Sequence, residues 1–234
     1  MSANDRERIL SAVELALGFP PREDDLFALK HPGASPDWVP PEESWEPVQK
    51  EIQGLSARFH QAKDVQEAQG IIRSILAEHA VRKAVHWEHP LLNALGIEAL
   101  LREAGVEVIS PVEGEYFARQ SAQADLGITA ADCMLVESGA LMVSAKKGED
   151  RSTSLLPPVH LAVVCSGQRL PAVEDLVPLW REWIRAQGRL PSAIHLITGP
   201  SRTADIELTI VLGAHGPKAL HVLALDPGCI PEER

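Results

Sequence analysis

Between residues 81 and 197, short apolar runs alternate with helical patterns, and this alternation limits the possible folds more than any other feature of the sequence. Residues 106–109 and 159–165 have the length and β-branched content of buried strands. Residues 90–104 and 172–187 place their apolar side chains at helical spacing, and a glycine follows each segment. Because strands that alternate with helices usually pair in parallel, the sequence predicts an α/β fold with an open, mainly parallel sheet flanked by helices.

The first 62 residues differ in composition from the rest of the chain. Residues 5–17 and 47–62 have the apolar spacing of helices, whereas residues 18–47 hold seven prolines and predict an extended loop. Asp64 stands three residues before Glu67, which is the spacing of a helix N-cap. We therefore predict N-terminal helices and a Pro-rich linker over residues 1–62, followed by one α/β domain over residues 63–234.

Composition excludes several classes of protein. A formal net charge of −11 argues against broad binding to nucleic acid or to an anionic membrane. The sequence has no apolar run long enough to cross a bilayer, and its N-terminus does not resemble a signal peptide. Its three cysteines are scattered, which predicts a cytoplasmic protein with reduced thiols. The cysteines do not have the spacing of a zinc or iron–sulfur site. His86 and His89 could form a metal pair, but a third ligand at suitable spacing is missing, so no metal and no cofactor are expected.

The strongest candidate site begins where the apolar run at residues 194–197 breaks into Thr198-Gly199-Pro200-Ser201-Arg202-Thr203-Ala204-Asp205. Backbone N–H groups in a glycine-containing turn can point at an anion, while hydroxyl groups and a guanidinium add further donors. The alternative is a strand followed by an ordinary polar surface turn. The residues predicted to bind or support a small anionic ligand here are Thr198, Gly199, Ser201, Arg202, Thr203 and Asp205.

Two other loops follow or precede predicted strands and could join this site. The first contains Ser154, whose hydroxyl could bind a ligand, and His160, which we interpret as a hydrogen-bonded residue at the start of a strand. The second contains His215, which lies in a loop between Gly213 and Gly216 and is either a proton-transfer residue or a plain turn residue. Because ligands in open α/β sheets bind at the carboxyl ends of strands, we expect these loops to meet there.

A further candidate, Glu137, lies at a predicted hairpin turn, where Ser138 and Gly139 separate two apolar runs. A carboxylate at that turn could act as a nucleophile or a general base, although a solvated turn residue would look the same in sequence. The chain contains no GxGxxG after a strand, no Walker-type lysine loop and no GxSxG. The sequence thus gives no support to a dinucleotide-binding, P-loop or α/β-hydrolase site.

Several blocks in order along the chain resemble the LUD-domain family, and in particular its lactate-utilisation protein C group. They are GITAAD at 127–132, ESGAL at 137–141, LLPPVH at 155–160, ITGPSRTADIE at 197–207 and GAHGP at 213–217. The resemblance implies the superfold of sugar-phosphate isomerases, CoA-transferases and formyltetrahydrofolate cyclo-ligases, also described as NagB/RpiA/CoA-transferase-like. It also implies a role in the bacterial oxidation of L-lactate to pyruvate, beside iron–sulfur partner proteins that carry the electrons.

Three functions remain open at this point. The resemblance favours an accessory or substrate-handling subunit that binds a small anionic metabolite. Glu137-Ser138-Gly139 also looks like the glutamate-glycine turn of CoA-transferases, which would make the chain a free-standing transferase or isomerase with Glu137, and possible proton transfer by His215, as catalytic residues. A non-catalytic ligand sensor or assembly module is the third alternative, and a homo-oligomer is compatible with each of them.

Overall fold

The computed structural model describes residues 44–110, 116–204, 210–212 and 215–230, and for residues 202–204 and 210–212 it describes the backbone alone. The predicted helix at residues 5–17 and nearly all of the predicted linker lie outside the described residues. The helices are α1 (Glu46–Gly54), α2 (Val65–Glu78), α3 (Pro90–Ala94), α4 (Ile97–Glu103), α5 (Phe117–Ser121), α6 (Ser152–Leu155) and α7 (Leu176–Gln187).

The strands of the described residues fall into three sheets. They are β1 (Arg58–Ala62), β2 (Lys83–His86), β3 (Glu107–Val108), β4 (Leu126–Ala130), β5 (Cys133–Leu135), β6 (Leu141–Ser144), β7 (Val159–Cys165), β8 (Arg169–Leu170), β9 (Ile194–Ile197), β10 (Arg202–Ala204), β11 (Ile210–Leu212) and β12 (Ala219–Leu225). Strands β10 and β11 form a small antiparallel pair of their own.

The largest sheet confirms the predicted fold class. Its order is β1-β12-β7-β4-β2-β3, and every neighbouring pair is parallel. Strands β4, β7 and β12 occupy its centre and are buried along almost their whole length, because helices cover the sheet on both faces. The apolar side chains of these strands and of α1, α2 and α4 form the main hydrophobic core.

A second sheet was not anticipated from the sequence. Strands β5 and β6 form the predicted antiparallel hairpin, and β8 and β9 extend it to the order β8-β5-β6-β9. Helix α7 covers this sheet with Leu176, Leu179, Trp180 and Trp183, which pack on a smaller apolar cluster around Met142. Strand β9, which precedes the predicted anion-binding turn, therefore belongs to the smaller sheet and not to the parallel one.

The helix predicted over residues 47–62 is wrong in its second half. Helix α1 ends at Gly54, and Ser56 has a left-handed backbone with φ of 61°. Residues 58–62 then form β1, which pairs in parallel with β12 at the edge of the main sheet. Pairing with a distant strand outweighed the local helical spacing. The domain boundary after residue 62 stays a prediction.

Other local predictions are confirmed or refined. Asp64 caps α2, because its carboxylate accepts a 2.8 Å hydrogen bond from the backbone N–H of Glu67. The helix predicted over residues 90–104 is two helices, because Gly96 adopts a left-handed conformation with φ of 67° between them.

Candidate functional site

The amino end of β7 is built around a buried polar pair. His160 is 1% exposed, and its Nε2 lies 2.9 Å from the hydroxyl oxygen of Thr129 on β4. Burial lowers the pKa of His160 to about 3, so its imidazole is neutral at physiological pH. This is the structural role that the sequence predicted for His160.

Helix α6 brings Ser154 to the same place. The helix packs directly on β4, and the contact is so close that a Cβ at Gly127 would lie 1.9 Å from the carbonyl oxygen of Thr153. Only glycine allows this approach. Ser154 is buried, and its hydroxyl donates a 3.1 Å hydrogen bond to the carbonyl oxygen of Arg151. Gly127 therefore determines how near the hydroxyl of Ser154 comes to the amino end of β7.

The turn after β9 is held by backbone contacts. Gly199 has φ of 125°, and a Cβ on it would lie 2.8 Å from the carbonyl oxygen of Leu55. The N–H of Ser201 donates to the carbonyl oxygen of Pro217 at 2.9 Å, and the N–H of His215 lies 3.4 Å from the hydroxyl oxygen of Ser201. These contacts bring the turn at residues 198–201 beside the segment that carries His215.

A cavity of about 570 Å³ lies between these segments. Five of the predicted site residues line it, which are Ser154, Thr198, Gly199, Ser201 and His215. The wall also contains His160 and His195, together with apolar side chains that include Leu155, Leu196 and Leu220. Among the described residues that line the cavity there is no aspartate or glutamate. In a chain of net charge −11, a cavity whose described lining residues offer hydrogen-bond donors and no carboxylate is a candidate place for an anion.

Sequence reasoning missed His195, which is the second residue of β9. Its Nε2 is buried, and within the described part of the chain it has no hydrogen-bond partner. A buried polar atom without a partner is unusual and calls for an explanation, and a ligand in the cavity would supply the missing bond. A signal was present in the sequence, because His195 interrupts an otherwise apolar strand directly before the turn.

The cavity does not lie where the sequence analysis expected it. His160 and Leu220 are the second residues of β7 and β12, so the cavity opens at the amino ends of these parallel strands. The prediction that the loops meet at carboxyl ends is wrong. Strand β9 belongs to the four-stranded sheet. Its carboxyl end therefore places the turn at residues 198–201 beside the amino ends of the parallel strands of the main sheet.

Glu137 is not among the described residues that line this cavity. It lies in the β5–β6 turn with its side chain exposed, and its Oε1 accepts a 2.9 Å hydrogen bond from the backbone N–H of Val173. A catalytic role for Glu137 stays a prediction, as does proton transfer by His215, which is exposed at the cavity mouth.

The structure leaves three predicted ligand contacts open. Arg202 and Thr203 belong to β10, where their backbones pair with Leu212 and Val211, but their side chains lie outside the described part of the chain. Asp205 lies outside the described residues altogether. Their roles in anion binding stay predictions.

A smaller cavity of about 300 Å³ lies at the carboxyl ends of β2 and β3. Its wall carries the carboxylates of Glu88, Glu98 and Asp150 and the ammonium group of Lys146. Lys146 is already paired with Asp132, and its Nζ lies 3.8 Å from a carboxylate oxygen of Glu149. Three lining carboxylates beside an already neutralised lysine repel an anion, so of these two cavities the larger one suits an anion better.

The histidines near this second cavity have structural partners. His86 Nδ1 lies 2.9 Å from the carbonyl oxygen of Trp87, and His89 Nδ1 accepts a 3.1 Å bond from the N–H of Leu91 at the start of α3. Within the described residues, no group of three or more His, Cys, Asp or Glu side chains is arranged to hold a metal ion.

Comparison with known families supports the resemblance that the sequence blocks indicated. The model of the LUD domain matches residues 46–225, which include all three described sheets and every described segment that lines the cavity. The chain belongs to the LUD domain family. The matched residues begin at α1 and include β1.

Two similar proteins share one name with each other. The chain is 35% identical to the lactate utilization protein C of Halalkalibacterium halodurans, over 66% of this chain and 68% of that protein. It is 30% identical to the lactate utilization protein C of a Geobacillus species, over 68% of this chain and 69% of that protein.

The fold is also similar to that of a solved structure. A crystallised DUF162 family protein from Deinococcus radiodurans superposes with a TM-score of 0.53 over 77% of this chain and 94% of that one. At 20% identity, this likeness concerns the fold alone. None of the helices in the described part of this LUD domain protein has both the length and the apolar character needed to span a bilayer.

Proposed function

We propose that this LUD domain protein acts in lactate utilisation as a subunit that binds a small anionic ligand in the cavity beside β7 and β12. The names of its relatives support the cellular role. The subunit role is supported by the chain's own chemistry. Cys133, Cys165 and Cys229 are scattered along the sequence without the spacing of an iron–sulfur ligand run, and burial raises the pKa of each thiol. The electron carriers in this proposal are iron–sulfur partner proteins.

The lining of the cavity carries the proposal. It contains three imidazoles and three hydroxyl groups and, among the described lining residues, no carboxylate. The hydroxyl oxygen of Ser201 accepts from the backbone N–H of His215, so its own hydrogen can donate to a ligand. The buried Nε2 of His195 supplies a second polar contact. Donors arranged in this way suit an anion whose own oxygens accept hydrogen bonds.

A ligand-dependent melting experiment tests the binding site. The purified chain is heated with acetate, L-lactate, pyruvate, inorganic phosphate, sugar phosphates and acyl-CoA esters. A ligand at a hundredfold excess over its Kd stabilises the folded state by about 2.7 kcal/mol, which gives a readily measured rise in Tm.

We expect at least one anion class to raise the Tm, and we expect Ser201→Ala and His195→Ala to reduce the rise. Ser192→Ala, an exposed serine outside the cavity, is the matched control and should keep it. The site assignment fails if no anion raises the Tm, or if both cavity variants respond as the wild type does.

The cellular role needs a separate experiment. A strain that lacks this protein should grow poorly on L-lactate and normally on pyruvate, and the wild-type gene should restore growth. Affinity purification of the tagged protein from lactate-grown cells should recover proteins with bound iron and sulfide. Normal growth of the deletion strain on L-lactate would remove the proposed role, whatever the cavity binds.

A further inference from the structure

The volume of the cavity limits what fills it. At about 570 Å³ it falls in the range of roughly 300–1,000 Å³ that is typical of pockets enclosing drug-sized molecules. Because a water molecule takes up about 30 Å³ in the liquid, a six-atom acid such as lactate or pyruvate would displace only about four waters. A bare three-carbon acid would leave most of the cavity to solvent and would bury little of its own surface against the wall.

The wall of the cavity is largely apolar. Apart from its hydroxyls, imidazoles and turn backbone, it is formed by Leu55, Leu155, Leu196, Ile197 and Leu220 with Pro200 and Pro217. Leu196 is 44% exposed, although it sits in the middle of strand β9. An exposed large apolar side chain inside a concave surface marks a place where a ligand or a partner covers it.

Apolar and polar groups alternate along each wall segment. Ser154 is followed by Leu155, and His195 and Leu196 point to opposite faces of β9, so they flank the outer edge of that strand, which lines the cavity. In the sheet, Leu220 on β12 pairs in register with His160 on β7. A ligand that reaches the donors at His195 and Ser201 therefore also lies against leucine side chains.

We infer that the ligand of this cavity is an amphipathic anion, in which a carboxylate or phosphate head is joined to an apolar chain or ring. The inference rests on the proposed anion site and adds the class of its ligand. The head binds the hydroxyl of Ser201 and the Nε2 of His195, and the apolar body covers Leu196 and its neighbours. L-lactate and pyruvate carry the head without the body, so they are weak ligands here.

A chain-length series tests the inference. Binding is measured by isothermal titration calorimetry with acetate, butyrate, hexanoate and octanoate, each below the concentration at which it forms micelles. A parallel series of inorganic phosphate, butyl phosphate and hexyl phosphate separates the two kinds of head, and 1-hexanol is the uncharged comparison. Each methylene group buried in the cavity should lower the Kd about fourfold. 1-Hexanol should bind much more weakly than hexanoate or hexyl phosphate.

Two matched leucine variants test whether the side chain of Leu196 contacts the apolar part of the ligand. Leu196→Ser should flatten the dependence of Kd on chain length and leave the Kd of the shortest anion unchanged. Leu190→Ser is the control, because Leu190 is 38% exposed and lies outside this cavity. It should keep the full chain-length dependence. Since both side chains are already partly exposed, neither substitution should prevent folding.

The possible outcomes separate this inference from the proposed function. If anions bind with a Kd that does not depend on chain length, or if Leu196→Ser and Leu190→Ser behave alike, the amphipathic ligand is wrong and the anion site stands. If 1-hexanol binds as tightly as hexanoate and hexyl phosphate, or if no anion of any length binds, the anion site itself is wrong and the inference falls with it.

Discussion

At the scale of single residues, the buried histidines determine how the protein responds to acid. His221 is fully buried on β12, and both of its ring nitrogens are engaged. Its Nδ1 lies 3.0 Å from His60 Nε2, and its Nε2 lies 2.8 Å from His79 Nε2. Burial, followed by the nearby His60, His79 and Arg58, lowers the pKa of His221 to about 4. The pKa of His60 is lowered as well, chiefly by burial and then by Arg58.

The first prediction is acid lability between pH 6.5 and pH 4. An unfolded histidine has a pKa of about 6.5, so the unfolded chain binds protons at a pH where folded His221 does not. The stability due to neutral His221 is complete above pH 6.5 and is lost as the pH falls toward 4. Urea unfolding at several pH values should show this loss, and His221→Gln should make it smaller. A free energy of unfolding that stays constant from pH 7 to pH 4 would contradict the assignment.

At the scale of secondary-structure elements, the close packing of α6 on β4 is what presents Ser154 to the cavity. It depends on a missing side chain, because Gly127 leaves room for the carbonyl oxygen of Thr153. Thr153 itself is fully buried, and within the described residues its hydroxyl oxygen has no hydrogen-bond partner. The contact therefore has little freedom to adjust to a larger residue at position 127.

The second prediction is that Gly127→Ala is strongly destabilising. Its Cβ would lie 1.9 Å from a backbone oxygen, so α6 must move or β4 must bend, at a cost of about 2 kcal/mol or more. Gly70→Ala in α2 is the matched control, because no atom lies within 4 Å of a Cβ there. It should raise stability by up to about 1 kcal/mol, since alanine favours a helix interior. Both changes are measured by urea unfolding, and equal effects would show that the α6–β4 contact is loosely packed.

At the scale of the whole molecule, Trp45 joins parts that are distant in sequence. It precedes α1, is 2% exposed, and its Nε1 donates a 2.9 Å hydrogen bond to Asp226, which follows β12. Its ring lies 5.9 Å from that of Phe59 on β1, and the guanidinium of Arg169 sits 4.9 Å from the ring centre. One side chain thus connects α1, β1, β8 and the end of β12.

The third prediction concerns this anchor. Trp45→Ala should lower the free energy of unfolding by about 3–5 kcal/mol, because it leaves a large cavity in the core. Trp45→Phe keeps most of the packing and removes the bond to Asp226, which also accepts from Gln61 at 2.8 Å, so it should cost only about 1–2 kcal/mol. Trp183→Phe, on the half-buried face of α7, is the comparison and should cost less than Trp45→Ala. A loss below about 1 kcal/mol for Trp45→Ala would mean that α1 is not held by this residue.

The sequence by itself determined the local features. The strand at residues 159–165 is an apolar run interrupted only by His160, the cap of α2 is the pair Asp64 and Glu67, and the β5–β6 hairpin turns at Ser138-Gly139. Each depends on residues within a few positions of one another, so periodicity and turn chemistry are sufficient to predict it. The order of the motif blocks likewise identified the family that the comparison confirmed.

Tertiary structure alone decided where these elements go. An apolar pattern tells which face of a strand is buried and not which strand it pairs with, so the sequence did not predict that β1 pairs with β12 or that β9 joins β6. That second pairing carries the turn with Ser201 to the amino ends of β7 and β12 and leaves Glu137 outside the cavity. It also leaves His195 Nε2 at the cavity wall without a hydrogen-bond partner among the residues that the structure describes. These outcomes depend on contacts between residues far apart in the chain, which no local pattern records.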